Sequence, residues 1–471
     1  MNIRILNPRV FTFRQMNRTY FYDPVTCVCV SMNTAMRNEI AAIADAEEFL
    51  AKDDPAEDEK GTLYSTIEYM RKVGMVGSSK SQTSIFPPST GWITSTKPNI
   101  SIFLTTRCNL QCRYCYANGG DTGTTIDRRV WQTAIDYFFS SIEQGDKEKL
   151  EKVRLFFHGG GEPTAAFSEL KKISDYFSAK TIKIGVKPDI HIMSNGAFAD
   201  DVCQWILDQN INIGFSFDGV PHIQNKYRPF RSGDPSYDVV VNNMKTLIAA
   251  GREVSIRATV TRESVNEMKK AVQLAKEIGL TRVHFEPVAI TGRCGSQQIF
   301  RPGIKSFVDN FLESYLCGID LGIDVNYSGA RCFSRPTNKF CSASGESFGV
   351  TPNGDVSSCF EVLNSQDPAS ETFFIGKVNP DLNTVVFDTN RITALEQRVA
   401  QNLEVCNGCF MQYHCAGNCL VRGYRESNGH LDLPDTYRCK ITKEINKKLI
   451  VWMAEGKIGS RDFPAMEVFK S

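Results

Sequence analysis

The chain lacks long hydrophobic runs, and it lacks an excess of charge of either sign. None of its apolar stretches approaches the roughly 20 residues that a membrane helix needs. Lys and Arg total 54 against 53 Asp and Glu, a net charge of +1, which gives no electrostatic reason to expect a nucleic acid or an acidic membrane surface as partner. Residues 1–15 contain no uninterrupted apolar segment followed by a small-residue cleavage site. We therefore expect no secretory signal and a cytoplasmic protein.

Cysteine, in contrast, is abundant. Sixteen cysteines in a chain of 471 residues, without a recognisable export signal, favour metal binding over disulfides. Three of them lie within residues 108–115 and eight within residues 332–439, and these two groups have ligand-like spacings. The others follow no such spacing; they are Cys27, Cys29, Cys203, Cys294 and Cys317.

The pattern along the chain predicts three domains, in keeping with a length too great for one ordinary core. Residues 1–92 read as two short β segments around Asp23-Pro24, two helices and a linker, a small α+β domain of winged-helix-like type. Residues 93–303 alternate β-rich runs with amphipathic segments. Residues 304–471 begin with a helix and continue as a short, turn-rich and cysteine-rich region.

The central domain is predicted to be an α/β fold with a parallel sheet. Six β-rich runs alternate with helical stretches; they are residues 99–105, 152–158, 189–195, 211–219, 253–261 and 282–288. Such β-α units place helices outside a parallel sheet that curls into a barrel or part of one, here a partial (β/α)6 TIM-like barrel. Function in parallel barrels lies at the carboxyl ends of the strands. The polar motifs of this chain fall at those ends.

The first motif directly follows the first of these runs. Cys108, Cys112 and Cys115 are spaced C-x3-C-x2-C, with Tyr114 before the third cysteine. Three thiolates this close can hold three irons of a cubane cluster and leave the fourth iron open to a small molecule. A zinc site is the alternative, but zinc would need a fourth ligand, and the nearest histidine, His158, is far away in the sequence.

This triplet resembles that of the radical S-adenosylmethionine (SAM) superfamily. The resemblance implies that SAM chelates the unique iron and is cleaved to methionine and a 5′-deoxyadenosyl radical. The segment HGGGEP, residues 158–163, matches the loop that binds the SAM amino group in that superfamily, through Gly160, Gly161, Glu162 and Pro163. Glycines let backbone carbonyls approach closely, and a carboxylate can oppose an ammonium. Tyr114 belongs to the same set of expected cofactor contacts.

Further expected SAM contacts lie at the ends of the third and fourth runs. By the same resemblance, Ser194, Asn195, Ser216 and Asp218 contact the SAM ribose or carboxylate or shape the pocket. The segment from 215 to 233 resembles the family run S-x-D-G…R-x-F-R-x-G, in which Arg228 is a candidate carboxylate or substrate contact. Ordinary strand-end caps and turn residues are the alternative for each.

The second cysteine group resembles the SPASM extension of radical SAM enzymes. That resemblance implies one auxiliary 4Fe–4S cluster on Cys332, Cys341, Cys359 and Cys419, and another on Cys406, Cys409, Cys415 and Cys439. The spacing C-x2-C-x5-C alone would also suit a zinc knuckle. The interleaved ligands crosslink the domain, so loss of the clusters should unfold it. Four thiolates per cluster leave no obvious open iron, so electron transfer is the expected role, with displacement of a thiolate by substrate left open.

The position of a catalytic base is less well defined. In enzymes similar to the anaerobic sulfatase maturases, an Asp directly follows the third cysteine of the first auxiliary cluster. Here that position is Phe360, and Glu361 comes next. Glu361 is therefore a candidate base, with a solvent-facing carboxylate as the alternative.

Residues 1–92 resemble the peptide-recognition domains that precede many maturases of ribosomally made peptides. Those domains bind a leader peptide as an added strand at a sheet edge. An unrelated cap packed on the barrel is the alternative.

The combined expectation is a radical SAM/SPASM peptide maturase. It would use SAM and three 4Fe–4S clusters, act on a precursor peptide or protein, and receive electrons from a reductant such as ferredoxin or flavodoxin. Hydrogen abstraction would lead to a thioether or carbon–carbon crosslink. The alternatives are oxidation of a protein Ser or Cys, as in sulfatase maturases, a small-molecule radical dehydrogenase, or an iron–sulfur electron carrier without radical chemistry. The sequence does not identify the substrate, the bond formed or the oligomeric state.

Overall fold

The computed structural model describes residues 6–7, 9–15, 17–43, 46, 50, 58–76, 98–143, 150–330, 336–458 and 468–470. Cys332 and the expected boundary at residues 92–93 lie outside these ranges. Within the described ranges, every helix is too short or too polar to span a bilayer.

The secondary structure is mixed α/β. The described strands are β1 (Phe11–Gln15), β2 (Arg18–Asp23), β3 (Val28–Asn33), β4 (Asn99–Ile102), β5 (Val153–Phe157), β6 (Pro188–Ser194), β7 (Asn212–Ser216), β8 (Ser255–Val260), β9 (Arg282–Pro287), β10 (Asp324–Asn326), β11 (Gly349–Val350), β12 (Asp355–Ser357), β13 (Phe374–Asn379), β14 (Thr384–Phe387) and β15 (Val468–Lys470). The described α-helices are α1 (Thr34–Ala42), α2 (Asp58–Lys72), α3 (Arg128–Glu143), α4 (Phe167–Lys183), α5 (Asp200–Asp208), α6 (Pro221–Tyr227), α7 (Tyr237–Ala249), α8 (Met268–Ile278), α9 (Arg293–Ser296), α10 (Ile304–Leu321), α11 (Ser370–Phe373), α12 (Thr389–Glu396), α13 (Gln412–Cys415), α14 (Leu420–Glu426) and α15 (Thr436–Ala454).

A large parallel sheet forms the centre of the molecule. Strands β4 to β9 lie side by side in chain order and are parallel, and β10 continues the sheet beside β9. The six runs predicted from the sequence coincide with these six strands. The prediction of an α/β fold with a parallel sheet is therefore confirmed, and the arrangement is consistent with a partial barrel.

Burial explains why the strands and helices form where they do. In β5 the residues alternate between fully buried Val153, Leu155 and Phe157 and partly exposed neighbours, which is the period of a strand. Helix α8 buries residues at helical spacing and ends at Gly279, whose φ of 95° is the left-handed conformation common after a helix. These amphipathic elements cover the sheet and form one continuous core with it.

The sheet does not end with the barrel strands. Strand β11 pairs in parallel with β4, joining Gly349 to Ser101 and Val350 to Ile102, and β12, β13 and β14 extend the sheet in antiparallel order. The sequence analysis described this region only as short and turn-rich. One sheet of eleven described strands therefore links the central part of the chain to the cysteine-rich part.

The N-terminal residues form a second sheet, with strand order β1-β2-β3-β15. Strands β2 and β3 are the two predicted β segments, and β1 adds a third antiparallel strand. One face packs on α1 and α2, and the other packs on the cysteine-rich region. There, the Tyr22 hydroxyl lies 2.7 Å from Nε2 of His414, and the Phe13 ring centroid is 5.9 Å from that of Phe410. The sheet is therefore buried on both faces.

Candidate functional site

The expected cofactor residues meet in one cavity. The cysteine triplet follows β4, the glycine-rich loop follows β5, and Ser194 and Ser216 end β6 and β7. These segments line a cavity of about 300 Å³. Of the residues expected to touch the cofactor, those on its wall are Cys108, Cys112, Tyr114, Cys115, Gly160, Gly161, Glu162, Ser194, Asn195, Ser216 and Arg228. Pro163 and Asp218 are not among the lining residues.

Two thiols of the triplet, those of Cys108 and Cys112, are buried deeply enough to resist ionisation on their own. Burial raises the pKa of Cys108 to about 12 and that of Cys112 to about 11. A coordinating metal overcomes such a shift, because it deprotonates the thiol. The Cys115 sulfur accepts a hydrogen bond from the Gly119 amide at 3.3 Å, and Nδ2 of Asn195 lies 3.7 Å from the Cys108 sulfur. Hydrogen bonds to sulfur are among the groups that tune an iron–sulfur cluster.

In the described part of the chain, no three His, Cys, Asp or Glu side chains are grouped as ligands of one metal ion. A cluster of four irons is larger than a single ion, so its cysteine sulfurs stand further apart. The three thiols of the triplet line a cavity of about 300 Å³, and this set of donors suits such a cluster.

The glycine-rich loop is held tightly against the segment that carries the triplet. The Gly161 amide donates to the Thr105 carbonyl and the Glu162 amide to the Arg107 carbonyl, each at 2.7 Å. A Cβ at Gly161 would lie 1.9 Å from the Arg107 carbonyl oxygen, so only glycine fits there. Gly160 has a φ of 75°, in the region that favours glycine. The loop thus leaves backbone groups facing the cavity, as binding of an amino acid moiety requires.

Glu162 is buried and anchors this loop. Its Oε1 accepts from the Thr164 amide at 3.1 Å and from the Ser194 hydroxyl at 2.8 Å, and its Oε2 accepts from the Asn195 amide at 2.7 Å. Burial raises the pKa of Glu162, and these hydrogen bonds oppose the shift. The carboxylate therefore joins the ends of β5 and β6, and Oε2 has capacity for a further donor such as an ammonium.

Tyr114, Asp218 and Arg228 form a second buried group at the cavity. The Tyr114 hydroxyl donates to Oδ2 of Asp218, and Oδ1 of Asp218 lies 3.2 Å from Nε of Arg228. The Arg228 guanidinium lies over the Tyr114 ring, 5.2 Å from its centroid, with Nη1 at 4.0 Å from the Cys112 sulfur. Asp218 therefore binds both Tyr114 and Arg228 without lining the cavity itself. The carboxylate that pairs with Arg228 in this structure belongs to Asp218.

Glu361 lies on the cavity wall and pairs with two arginines. Its Oε1 accepts from Nη2 of Arg422 at 2.8 Å, and its Oε2 accepts from Nη1 of Arg425 at 3.2 Å. Burial alone would raise the pKa of Glu361, but the charge of Arg422 and its hydrogen bonds outweigh burial and lower it. The assignment of Glu361 as base stays a prediction, and this setting makes proton acceptance near neutral pH unfavourable. The Phe360 ring packs on His158 at 4.8 Å.

Three further cavity residues received no role from the sequence. His158 is neutral near pH 7, since burial and the nearby Arg257 charge lower its pKa to about 4, and its Nδ1 has no hydrogen-bond partner among the described residues. Arg422 reaches the cavity from the cysteine-rich region, so no local spacing indicates it. Arg257 projects from β8 with half of its side chain exposed.

Glu286, at the end of β9, makes a buried ion pair beside the cavity. Its Oε2 lies 2.7 Å from Nη1 of Arg438, and its Oε1 lies 3.0 Å from Nε2 of His284. Burial by itself would raise the pKa of Glu286, but Arg438 and His284 outweigh burial and hold it well below 4.5. In the sequence, His284 and Glu286 stand out by their position near the end of a β-rich run, and nothing there indicates Arg438 as the partner of Glu286.

We expect Glu286→Gln to lower the free energy of unfolding by about 3–5 kcal/mol at neutral pH, because Arg438 is left buried without its partner. A carboxylate with a lowered pKa stabilises the folded state above its unfolded pKa and loses that effect as pH falls through its folded pKa. The difference from wild type should therefore be constant near pH 7 and shrink only below about pH 4.5.

Urea unfolding at several pH values measures this difference. Glu313→Gln, which removes the exposed pair with Lys269, is the control and should cost less than about 1 kcal/mol. Equal losses in the two variants would contradict the assignment of Glu286 as a buried structural partner.

The second cysteine group also assembles in part. Cys406, Cys409, Cys415 and Cys439 all line one small cavity of about 20 Å³. Cys359, Cys341 and Cys419 belong to the other expected set. Burial raises the pKa of Cys359 well above its ordinary value, and the nearby Glu361, Cys419 and Cys341 raise it further. Each set of described cysteines is thus gathered in space, and the set of Cys359 adjoins the large cavity through Phe360 and Glu361.

Comparison with known proteins identifies the central domain. Residues 102–275 match the model of the radical SAM superfamily, and these residues contain the cysteine triplet and the glycine-rich loop. Residues 102–275 of this chain therefore form a radical SAM domain.

Relatives and solved structures extend the similarity beyond that domain. The serine-type anaerobic sulfatase-maturating enzyme of Klebsiella aerogenes is 20% identical over 340 residues, which cover 69% of this chain and 80% of the relative. Native anSMEcpe with bound AdoMet and Cp18Cys peptide has a TM-score of 0.57 at 17% identity, covering 77% of this chain and 100% of that one. Streptococcus suis SuiB bound to S-adenosylmethionine has a TM-score of 0.50 at 13% identity, covering 92% and 99%. At these identities the two structures show a shared fold.

Proposed function

We propose that this radical SAM enzyme carries three 4Fe–4S clusters and installs a thioether or carbon–carbon crosslink in a ribosomally made peptide. The observation that carries the proposal is the convergence of the cysteine triplet, the glycine-rich loop and the strand ends on one cavity, with a further cysteine set directly beside it. When bound, the triplet cluster and SAM supply a 5′-deoxyadenosyl radical, which abstracts a hydrogen atom from carbon.

The chain's own residues bind and orient the cofactor in this proposal. Cys108, Cys112 and Cys115 ligate the cluster. The glycine-rich loop and the free acceptor site of Glu162 Oε2 hold the SAM ammonium, and Asn195 and Ser216 face the rest of the molecule. Arg228, fixed by Asp218, sets a positive charge beside Cys112.

The auxiliary cysteines would hold clusters that can accept the surplus electron. Cys359 immediately precedes Phe360 and Glu361, which line the cavity, so a cluster held by Cys359 would lie close to a substrate bound there. Cys406, Cys409, Cys415 and Cys439 gather around a second cavity that shares no lining residue with the first.

A peptide substrate is supported by the relatives and by the N-terminal sheet. The Klebsiella relative acts on a sulfatase, and anSMEcpe binds a peptide beside AdoMet. Leader recognition by residues 1–92 would add a strand to the edge of a sheet, and the β1-β2-β3-β15 sheet has such edges at β1 and β15. An external reductant of the ferredoxin or flavodoxin type completes the proposal.

Oxidation of a protein Ser or Cys, as in sulfatase maturases, is the second candidate, and the relatives favour it equally. One observation separates the two. The residue after Cys359 is Phe360, whose ring packs on His158 and Phe103, so this position supplies no carboxylate base.

The test is anaerobic reconstitution followed by turnover. The proposal expects roughly twelve irons per chain. Incubation with SAM and dithionite should yield 5′-deoxyadenosine, whereas an electron carrier would yield none. Co-expression with a short peptide encoded beside this gene should remove two hydrogens from the peptide mass.

A crosslink and an aldehyde made from Ser share that mass change and must be separated, whereas an aldehyde made from Cys also exchanges sulfur for oxygen and so differs in mass. A crosslinked peptide gives no backbone fragments between the joined residues in tandem mass spectrometry, and it does not react with a hydrazide probe. An oxidised residue bearing an aldehyde fragments normally and reacts with the probe. A hydrazide-reactive product would overturn the crosslink in favour of the second candidate.

A further inference from the structure

A buried cation lies in the cysteine-rich region without an acidic partner. Arg398 follows α12 and is 4% exposed. Its guanidinium donates to three backbone carbonyls: Nη1 to Ala416 at 2.7 Å, Nη2 to Gly417 at 2.8 Å and Nε to Leu431 at 3.1 Å. None of the ion pairs recorded for the described residues includes Arg398. Full burial of an unpaired charge is unfavourable, so its retention calls for an explanation.

The backbone conformation at residues 416 and 417 directs two carbonyls toward the Arg398 guanidinium. Ala416 and Gly417 both have positive φ values, 46° and 73°, which turn their carbonyls toward Arg398. A Cβ at Gly417 would lie 2.5 Å from Nη1 of Arg398, so the guanidinium packs directly on this glycine. Gly417 itself lines the cavity of Cys406, Cys409, Cys415 and Cys439. The cation is therefore part of the wall behind that cavity.

The position of Arg398 relates it to both cysteine sets, because its guanidinium donates to the carbonyls of Ala416, which follows Cys415 of one set, and of Gly417, two residues before Cys419 of the other. Burial lowers the pKa of Arg398, and the groups that oppose this shift most are Cys406 and Cys415 of one set and Cys341 and Cys419 of the other. Lys443 differs, because the groups that raise its pKa against burial belong to one set alone, Cys409, Cys439 and Cys406. Among the described residues, Arg398 is thus a cation near both sets, and Lys443 is a cation near a single set.

We propose that Arg398 is the counter-charge shared by both auxiliary clusters and that it raises the reduction potential of each. This inference rests on the proposed function. A cluster with four thiolate ligands is anionic, so it supplies the negative charge that the buried guanidinium lacks. Reduction adds a further negative charge, which the cation stabilises. Of the five guanidinium N–H groups, three are used by carbonyls, and two remain for cluster or cysteine sulfur.

The test is a redox titration of the reconstituted protein followed by electron paramagnetic resonance. The background is the Cys108→Ala, Cys112→Ala, Cys115→Ala chain, so that only auxiliary clusters contribute signals. We expect Arg398→Gln to lower the equilibrium constant for one-electron reduction of each cluster at least tenfold. This corresponds to a fall of about 59 mV in each midpoint potential. Arg398→Lys keeps the charge and should stay near the parent. Lys443→Gln should shift one cluster only.

The matched control is Arg391→Gln. Arg391 also donates to a backbone carbonyl, that of Phe374, but it has an acidic partner in Asp388. The Arg391→Gln variant should leave the midpoint potentials of both auxiliary clusters unchanged. If Arg398→Gln retains eight irons and both potentials stay at the parent values, the inference is overturned.

If Arg398→Gln loses iron and Arg398→Lys keeps it, the positive charge is required and the inference is supported. If both variants lose iron equally, the role of Arg398 is purely structural and the inference is overturned. If the parent itself assembles no auxiliary clusters, the proposed function fails instead.

Discussion

No 5′-deoxyadenosine should form when Cys108, Cys112 and Cys115 are replaced by alanine. Within the described part of the chain these are the only cysteines that line the large cavity, and without them SAM would have no iron to bind. Iron content should fall by about a third, because the two auxiliary sites keep their cysteines. Chromatography of the reaction mixture and iron analysis of the reconstituted protein measure both effects.

Cys317→Ala is the matched control for this loss. Cys317 lies on α10, is half-buried, and has no place in either cysteine group. It should keep full iron and full 5′-deoxyadenosine formation. Production of 5′-deoxyadenosine by the triple variant would contradict the location of the reaction centre.

Gly161→Ala should have the second largest effect, although it changes only one methyl group. The added Cβ would meet the Arg107 carbonyl oxygen at 1.9 Å and the Thr106 carbonyl carbon at 2.6 Å, and backbone atoms cannot move aside cheaply. The loop must shift away from the triplet. A displacement on the order of 1 Å can reduce a rate about a hundredfold, and we expect that reduction in 5′-deoxyadenosine formation, with iron content near wild type.

Gly295→Ala provides the comparison, because a Cβ there meets nothing within 4 Å. Calorimetric titration with SAM should show weakened binding for Gly161→Ala and wild-type binding for Gly295→Ala. A Gly161→Ala enzyme with normal rate and affinity would remove this loop from the proposed SAM site.

The sequence predicts the parts of this molecule whose signals are local. The six strands of the parallel sheet are short apolar runs separated by amphipathic helices, because each strand is buried between layers. The cysteine triplet and the glycine-rich loop are likewise contiguous, so their spacing is readable. The whole set of expected cofactor residues except Pro163 and Asp218 lines one cavity.

Asp218 differs from the expectation for a structural reason. Strand β7 ends at Ser216, so the alternation of side chains that would give Ser216 and Asp218 the same face stops before Asp218. Its carboxylate turns to the Thr259 amide at 3.0 Å and to Tyr114. The residue contributes by fixing its neighbours.

Other contributors were not predictable because they come from distant segments. Arg422 pairs with Glu361 and Arg438 pairs with Glu286 across long stretches of sequence, and the carbonyls that Arg398 binds lie within residues 416–431. An arginine in a turn-rich segment has no spacing that identifies its partner. The short strands β11 and β12 were missed for a related reason, since two or three residues are too few to show alternation.

The pairing of β11 with β4 joins the strand before the cysteine triplet to the cysteine-rich region through backbone hydrogen bonds. The Ser101 amide donates to the Phe348 carbonyl at 2.8 Å and the Phe103 amide to the Val350 carbonyl at 2.9 Å, so the strand that leads to the triplet is bonded to the hairpin that leads to Cys359. In the proposed function, an electron passing between clusters on these cysteines would cross one hydrogen-bonded sheet. Separating these two parts would also leave the backbone amides on this edge of β4 without partners. An unpaired strand edge of this kind promotes aggregation.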